Sequence, residues 1–422
     1  MKEAIRTMSY AIVEIELTQP LRPVTVRDNE SGVALILRQR GRPVGFVMHA
    51  IDINRTLEPT QLRELISNAQ VPPNATLSQQ PGATAAFGRE LPSLTIAVCT
   101  KDRPEDLRVC LDQLKKVRSA EADGGAGIEL LVVDNAPSDS QTRELVESLG
   151  DVRYATDPRP GLDFARNAAI AEARGELLAF VDDDVRVDSR WLRGLRRALT
   201  EHPEAGAVTG LVLPAELRTE AQILFEKRGG FQKTFATVRY GEELPGHPFY
   251  PCIGGKFGTG CNMAFRRSLL QDLGGFDEAL DAGAALPGGG DTDMFYRVVR
   301  SGHPLIYEPE FQVFHRHRTE IAQLRRQYCR SWGQGLMAFV SKTYRYDIEQ
   351  RPNLRRLAGW WFRNAFQEIL NSLRGRHVLS PDMLFAELWG GIIGLFVAYG
   401  RSQDRATQIR LEHHHKAKLA SV

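Results

Sequence analysis

Asp182, Asp183 and Asp184 stand in a row directly behind the apolar run Leu177-Leu178-Ala179-Phe180-Val181. Such a run reads as a strand buried on both faces, as in a parallel sheet. Charge cannot continue into that core, so the strand must end there and open into a crevice, the place where open α/β sheets bind ligands. Alternation along a strand puts Asp182 and Asp184 on one side and Asp183 on the other. Two converging carboxylates suit a hard divalent cation, and such a cation suits phosphate oxygens. A solvated acidic turn is the plainer reading, disfavoured by the dryness of the strand before it. Thr100 and Asp134 end two other strand-like runs, Leu94 to Val98 and Ile128 to Val133, and so belong at the same crevice.

The elements that must position these residues form an alternating series. The Leu94 strand leads into a helix with Pro104 in its first turn and Leu107, Cys110, Leu111, Leu114 and Val117 at helical spacing. The strand ending at Asp134 precedes a helix from about Ser140 to Leu149. A short strand, Val152 to Tyr154, precedes a helix from Leu162 to Ala173, and then comes the aspartate strand. This βαβα order predicts a mainly parallel sheet with right-handed crossovers. A helix from Ser189 to Leu199 and a strand from Ala207 to Leu213 follow. The segment from Pro214 to Gly258 reads as irregular, a candidate mobile region over the site. A helix opens near Asp291, behind Gly288-Gly289-Gly290, and two short strands are expected at Leu305 to Tyr307 and Phe311 to Phe314.

On either side of this series the character changes. Residues 1–70 carry period-two runs (Ala11 to Leu17, Val33 to Leu37, Val44 to Met48) and a short helix from Thr60 to Asn68, the pattern of a small β-rich module with no sign of chemistry. Residues 71–92, rich in Pro, Ala, Gly and Ser, read as a linker. The predicted catalytic domain occupies 93–318 and a helical region 319–422. From Arg316 to Arg376 there are 13 Lys or Arg against four Asp or Glu, with aromatics interleaved. The charge-free stretch from Leu388 to Gly400 is short of the ~20 helical residues that cross a bilayer core. Two readings of this region stand: a surface lying on an anionic membrane, or a helical bundle packed on the catalytic domain.

The chain has 422 residues, 42% hydrophobic and 25% charged, which is ordinary for a globular protein of two or three domains. A net charge of +2 gives no sign of nucleic-acid binding. Five cysteines without C-x-x-C spacing argue against a disulfide framework or zinc site and for a reducing compartment. No charged-then-apolar signal pattern opens the sequence. The expected location is cytoplasmic, with the inner face of the plasma membrane as candidate surface.

Several segments together resemble the family 2 glycosyltransferases of GT-A fold. They are Val98-Cys99-Thr100-Lys101-Asp102-Arg103-Pro104, Val132-Val133-Asp134-Asn135, Gly161-Leu162-Asp163-Phe164-Ala165-Arg166-Asn167 and Phe180-Val181-Asp182-Asp183-Asp184, followed by Gly260-Cys261-Asn262-Met263-Ala264-Phe265-Arg266, Gly274-Gly275-Phe276-Asp277 and Gly289-Gly290-Asp291-Thr292-Asp293. The resemblance covers about residues 92–318 in the family's order and spacing. It implies a nucleoside-diphosphate sugar donor, an acceptor hydroxyl on a glycan or lipid-linked acceptor, and inversion at the anomeric carbon. It places Asp134 at the nucleobase, Asp182 and Asp183 at the donor, and Asp182 and Asp184 at Mn²⁺ or Mg²⁺, with His315 (rather than His317) as a further metal ligand. Arg103 and Arg166 are expected to contact the diphosphate or brace the acids. Asp291 matches the second acid of the family's Glu-Asp pair and so the general base, with Gly290 where Glu is usual. Asp291 as a helix cap is the structural alternative. Asp293 is the spare base, and Gly260 and Asn262 fall on the acceptor side. Cell-surface polysaccharide or glycolipid synthesis is the implied setting. The rival readings are a phosphatase with an Asp-x-Asp motif and a non-catalytic sugar-nucleotide or glycan-binding scaffold.

Overall fold

The computed structural model describes residues 9–27, 29–51, 55–68, 92–121, 125, 127–241, 243–244, 247–280, 283 and 286–420. The expected linker at 71–92 lies, save its last residue, outside them. The first elements are β1 (Tyr10–Glu16), β2 (Val24–Thr25), β3 (Gly32–Gln39), β4 (Arg42–Ala50), β5 (Thr56–Leu57) and α1 (Pro59–Asn68). β3 is the centre of a three-stranded sheet, parallel to β1 and antiparallel to β4. Its alternation works in both directions. Val33, Leu35 and Leu37 pack inward on α1 and β5, while Ala34 and Ile36 meet Leu211, Leu213 and Leu217 from later in the chain. Arg38 reaches Asp188 at 2.6 Å and Arg42 reaches Glu308 at 3.1 Å. This module is docked on the rest of the molecule by apolar contact and by ion pairs.

The series that follows is β6 (Leu94–Thr100), α2 (Pro104–Ser119), β7 (Ile128–Asn135), α3 (Gln141–Leu149), β8 (Arg153–Asp157), α4 (Leu162–Glu172), β9 (Leu177–Asp182), β10 (Val185–Val187), α5 (Trp191–Glu201) and β11 (Ala207–Pro214). Then come α6 (Glu220–Lys227), β12 (Val238–Tyr240), β13 (Asn262–Arg266), α7 (Arg267–Asp272), α8 (Gly290–Arg300) and β14 (Leu305–His315). The sheet order is β10-β14-β11-β13-β9-β6-β7-β8, with β12 also on β14. β6, β7, β8 and β9 are parallel, and β13 runs antiparallel between β9 and β11. Period-two burial makes two cores from one sheet. Leu94, Ile96 and Val98 of β6 pack under α2 and α5, whereas Ala97 and Cys99 face α4, α7 and α8. This is the mainly parallel α/β sheet that the βαβα series predicts.

Three sequence expectations need correction here. The two strands expected around 305–314 are one strand, β14, despite Pro309. A register shift on β11 between Gly210 and Val212 absorbs the irregularity, and the buried Glu308 and Glu310 are neutralised by Arg42 and Arg190. The segment from Pro214 to Gly258 contains α6, β12 and a 3₁₀ turn at Gly254–Lys256, so it is not wholly irregular. Finally, the aspartate strand ends at Asp182, and Asp183 and Asp184 form the turn into β10. Strand alternation therefore does not govern where they aim.

The C-terminal region is helical: α9 (Ile321–Gln327), a π-helical stretch Tyr328–Gln334, α10 (Gly335–Tyr346), α11 (Arg351–Leu373), α12 (Pro381–Ile393), a second π-helical stretch Gly394–Ala398, and α13 (Tyr399–Ala420). It packs tightly on the sheet domain. Tyr296 of α8 lies with Phe339, Leu354 and Trp361, and Phe225 of α6 lies with Tyr328 and Leu384. Backbone crosses backbone where glycine permits it: a side chain at Gly390 would run into the Cys329 carbonyl, and one at Gly333 into that of Glu387.

Candidate active site

Register brings the acidic residues together. Thr100 on β6 is paired with Asp134 on β7, and Cys99 with Asp182 on β9, so three adjacent strands end along one line. Behind that line is a brace. The Thr100 hydroxyl donates to Asp183 at 2.6 Å, and Arg103 reaches Asp183 at 3.1 Å and Asp184 at 3.3 Å. Asp183 is buried, and burial pushes its pKa up to about 6. The structure thus turns Thr100 and Asp183, both expected at the donor, inward upon each other. Arg103, still half exposed, keeps a face toward the crevice.

Asp184 meets His315 at 3.3 Å between Oδ1 and Nε2. Burial raises the Asp184 pKa, but His315, Arg103, Arg318 and Arg316 lower it further, leaving it below 3.8. Burial pushes His315 down to about 4, so its ring is neutral at pH 7. The tautomer follows from what lies behind it. His315 Nδ1 is 3.2 Å from His317 Nδ1, and His317 Nε2 is 2.6 Å from the buried Glu226 carboxylate. A Glu226 carboxylate accepts from His317 Nε2–H. With the other His317 nitrogen unprotonated, His317 Nδ1 accepts from His315 Nδ1–H and the Nε2 lone pair of His315 faces Asp184 Oδ1. In that arrangement a cation can sit between His315 Nε2 and Asp184 Oδ1, a buried carboxylate oxygen that accepts no hydrogen bond among the described residues. Asp182, Cys261 and His315 also bring one donor atom each within 4.8 Å of one another. Burial and the carboxylates of Asp182, Asp184 and Asp291 push the Cys261 thiol well up, so it stays protonated. The donor set for a hard cation is therefore carboxylate and imidazole, which suits Mg²⁺ or Mn²⁺. Glu226→Leu removes the acceptor that orients the chain of rings, and Mn²⁺ affinity measured by titration calorimetry should fall about 10- to 100-fold.

Asp134 has one oxygen satisfied by the Tyr154 hydroxyl at 2.9 Å and the other buried without a hydrogen bond among the described residues. Burial raises its pKa. That second oxygen is placed for an N–H donor from a ligand.

Asp291 lies in the first turn of α8, where the helix N-terminus favours an anion. It accepts from the Gly260 N–H at 2.8 Å and from its neighbour Thr292 at 2.7 Å. Gly260 and Cys261 are consecutive, so one tight turn sets the Asp291 carboxylate beside the Asp182, Cys261 and His315 cluster. Space is tight there: a Cβ at 260 would stand 2.9 Å from the Arg166 guanidinium and 3.2 Å from the Asp291 carboxylate, so a larger residue would have to displace one of these side chains. Arg166 is buried, 2.9 Å from Asp163 and over the Phe276 ring, so its surroundings are those of a brace.

Two acceptor-side expectations are overturned by burial. Asn262 is inside the sheet, accepting from Trp191 Nε1 at 2.9 Å and donating to Phe311 O at 2.7 Å. Asn262→Leu would strand both partners, and urea unfolding should show a loss of ~2–4 kcal/mol. Asp293 is buried between Arg297 at 2.8 Å and Lys342 at 2.7 Å, fastening α8 to α10, and it is no spare base.

Glu226, Cys261 and Lys233 escape sequence reasoning. Burial pushes Lys233 down to about 8, partly offset by the facing Asp291 carboxylate. A lysine below its ordinary 10.5 costs stability below the folded pKa, and the cost is relieved as pH rises from about 8 to 10.5, where the unfolded chain binds more protons. Lys233→Met should therefore raise stability at pH 7 by ~1–3 kcal/mol, and the gain should shrink by pH 10 in chemical denaturation.

Residues 95–274 match the family described as Glycosyl transferase family 2. The chain carries a family 2 glycosyltransferase domain. The alternative of an Asp-x-Asp phosphatase falls with that match, and the sheet just described is this glycosyltransferase's GT-A type α/β domain. The glycosyltransferase is 28% identical over 247 residues to the succinoglycan biosynthesis protein ExoM of Rhizobium meliloti, covering 56% of this chain and 72% of that one. It is 28% identical over 248 residues to the O-antigen biosynthesis protein RfbC of Myxococcus xanthus, covering 54% of this chain and only 17% of that one. Among solved structures, the mannosyltransferase PcManGT from Pyrobaculum calidifontis in complex with GDP-Man and Mn²⁺ superposes with a TM-score of 0.44 at 18% identity, covering 81% and 83% of the two chains.

Proposed function

We propose that the protein is an inverting, metal-dependent glycosyltransferase that moves a sugar from a nucleoside-diphosphate sugar to a hydroxyl of a glycan or lipid-linked glycan, in cell-surface polysaccharide or glycolipid synthesis. The observation that carries this reading is the approach of Asp184 Oδ1 and His315 Nε2 to 3.3 Å, beside Asp182 and one tight turn from Asp291.

Asp182, Asp184 and His315 would hold the cation, which when bound neutralises charge on the departing diphosphate. Asp134 accepts from a nucleobase N–H through its unsatisfied oxygen, a contact open to uracil and guanine alike. Thr100 and Asp183 hold Arg103 in place, and the free face of Arg103 meets diphosphate oxygens. Asp291 accepts the proton of the acceptor hydroxyl as that oxygen bonds to the anomeric carbon. The bond from the anomeric carbon to the diphosphate breaks and the nucleoside diphosphate leaves with its electron pair. One displacement inverts configuration, so an α-linked donor gives a β-glycoside. The Gly260 N–H orients the Asp291 carboxylate through the hydrogen bond already described.

A panel of nucleotide sugars, each with Mn²⁺ or Mg²⁺, tests the reading by thermal shift. The expected result is a rise in Tm for one nucleotide class that needs the cation. A panel with no metal-dependent stabilisation contradicts it.

A further inference from the structure

The helix beginning at Pro381 presents a stripe that no other described residue covers. Phe385, Trp389, Ile392 and Phe396 recur at steps of four, three and four, one helical face, with Trp389 61% and Phe396 72% exposed. Phe366 and Leu373 are similarly exposed on α11. The two helices form an antiparallel hairpin, since Ile369 packs near Met383 while Trp361 packs on Gly391. Taking that Trp361–Gly391 contact as the seam and about 100° per residue, Phe366 and Leu373 of α11 and Phe385, Trp389 and Ile392 of α12 fall between about 100° and 160° from it, whereas the exposed Trp360 falls on the other side. In an antiparallel pair, equal rotation from the seam points to the same side. The hairpin therefore has one apolar face built from both helices, larger in character than the scattered apolar residues of an ordinary surface.

Charge decides what the face meets. Arg355, Arg356, Arg363 and Arg374 are exposed along α11 and, by the same rotation, flank the apolar stripe between about 120° and 220°. The acids of the hairpin are taken: Glu387 and Glu368 both bind Arg228, and Asp382 lies 3.6 Å from Arg325. Aromatic and aliphatic side chains rimmed by uncompensated arginine suit an anionic lipid surface.

The continuous helix Pro381–His415 is long and apolar enough to cross a membrane by length and composition; the thirteen residues from Leu388 to Gly400 understate it. Crossing would strip Gly390 and Gly394 from the carbonyls of Cys329 and Gln334 and carry Glu387 away from Arg228. Lying flat keeps all of these contacts. We infer that the α11–α12 hairpin is a docking face that seats the enzyme on an anionic bilayer with α12 in the plane of the interface.

This rests on the glycosyltransferase reading in one respect: it makes the acceptor lipid-linked. The segment leading into Asp291 packs on the same helical layer, with Gly288 and Gly289 against the backbone of Ser331 and Gly335. The Tyr328–Gln334 stretch packs on both that segment and α12.

Flotation of the full chain with phosphatidylcholine vesicles, and with vesicles also containing roughly a third phosphatidylglycerol, tests the inference. The expected result is flotation with the anionic vesicles, weakened by salt, and a loss of about tenfold or more in Trp389→Ser/Phe396→Ser and in Arg355→Glu/Arg363→Glu. Arg363 is exposed, and Arg355 is exposed but for its bonds to the Tyr344 hydroxyl at 2.8 and 3.1 Å, so this pair reports even where the apolar pair unfolds. Protein that stays behind at low salt, equal flotation with neutral vesicles, or a dimer that the Trp389→Ser/Phe396→Ser change dissociates without any vesicle binding would each overturn it. Nucleotide-sugar binding in the same variants separates the two claims: donor binding kept while flotation is lost leaves the catalytic reading intact, and flotation without donor binding in the wild type sinks the catalytic reading alone.

Discussion

Asp291→Asn will lower turnover by about 10²–10⁴-fold while leaving nucleotide-sugar affinity nearly unchanged. The amide keeps the size of the carboxylate and one acceptor oxygen for the Gly260 N–H, so the turn at 260–261 should persist. It loses the ability to take a proton from an attacking hydroxyl. A loss confined to kcat marks a group that acts only in the transition state. A non-catalytic sugar-nucleotide binder would show little change, so steady-state kinetics beside calorimetric donor binding separates enzyme from scaffold. A helix cap would reveal itself instead as a drop in Tm with binding and rate falling together.

Asp182→Ala is expected to be more severe in binding. It deletes the side chain that shares the 4.8 Å cluster with His315. The expected loss is about 10³-fold in kcat/KM, or ~4 kcal/mol of transition-state stabilisation. Metal-dependent donor stabilisation should vanish with it, and millimolar Mn²⁺ should restore part of the rate. Full activity in the alanine variant at low metal would exclude Asp182 from the cation site.

How much of this was written in the sequence differs by residue. The crevice itself was legible, because an apolar run ending in acids has one physical solution in a parallel sheet, and Asp134, Asp182 and Thr100 do end adjacent strands. The aim of each acid was not. Alternation assumes the strand continues, but the chain turns after Asp182, and Asp183 goes inward because Thr100 and Arg103 from another strand end are there to hold it. Asn262 and Asp293 were misjudged for a related reason. Their partners, Trp191 and Lys342, lie 71 and 49 residues away, and nothing local announces them. Glu226 and Lys233 sit in a segment with weak periodicity, so the buried carboxylate that orients His317 carries no local signature. The hairpin was half legible: the excess of arginine and the aromatics could be counted, but which of them face outward depends on the Trp361–Gly391 seam.

The central claim is that the acids of the β9 turn and His315 grip a cation beside the general base. Its most direct test is a crystal of the protein grown with Mn²⁺ and a nucleoside diphosphate, with diffraction recorded at the manganese absorption edge. One anomalous peak is expected within bonding distance of Asp182, Asp184 and His315 Nε2, touching the diphosphate and next to Asp291. Manganese and nucleotide seated elsewhere, or a peak in the crevice with these three side chains turned from it, would contradict the account.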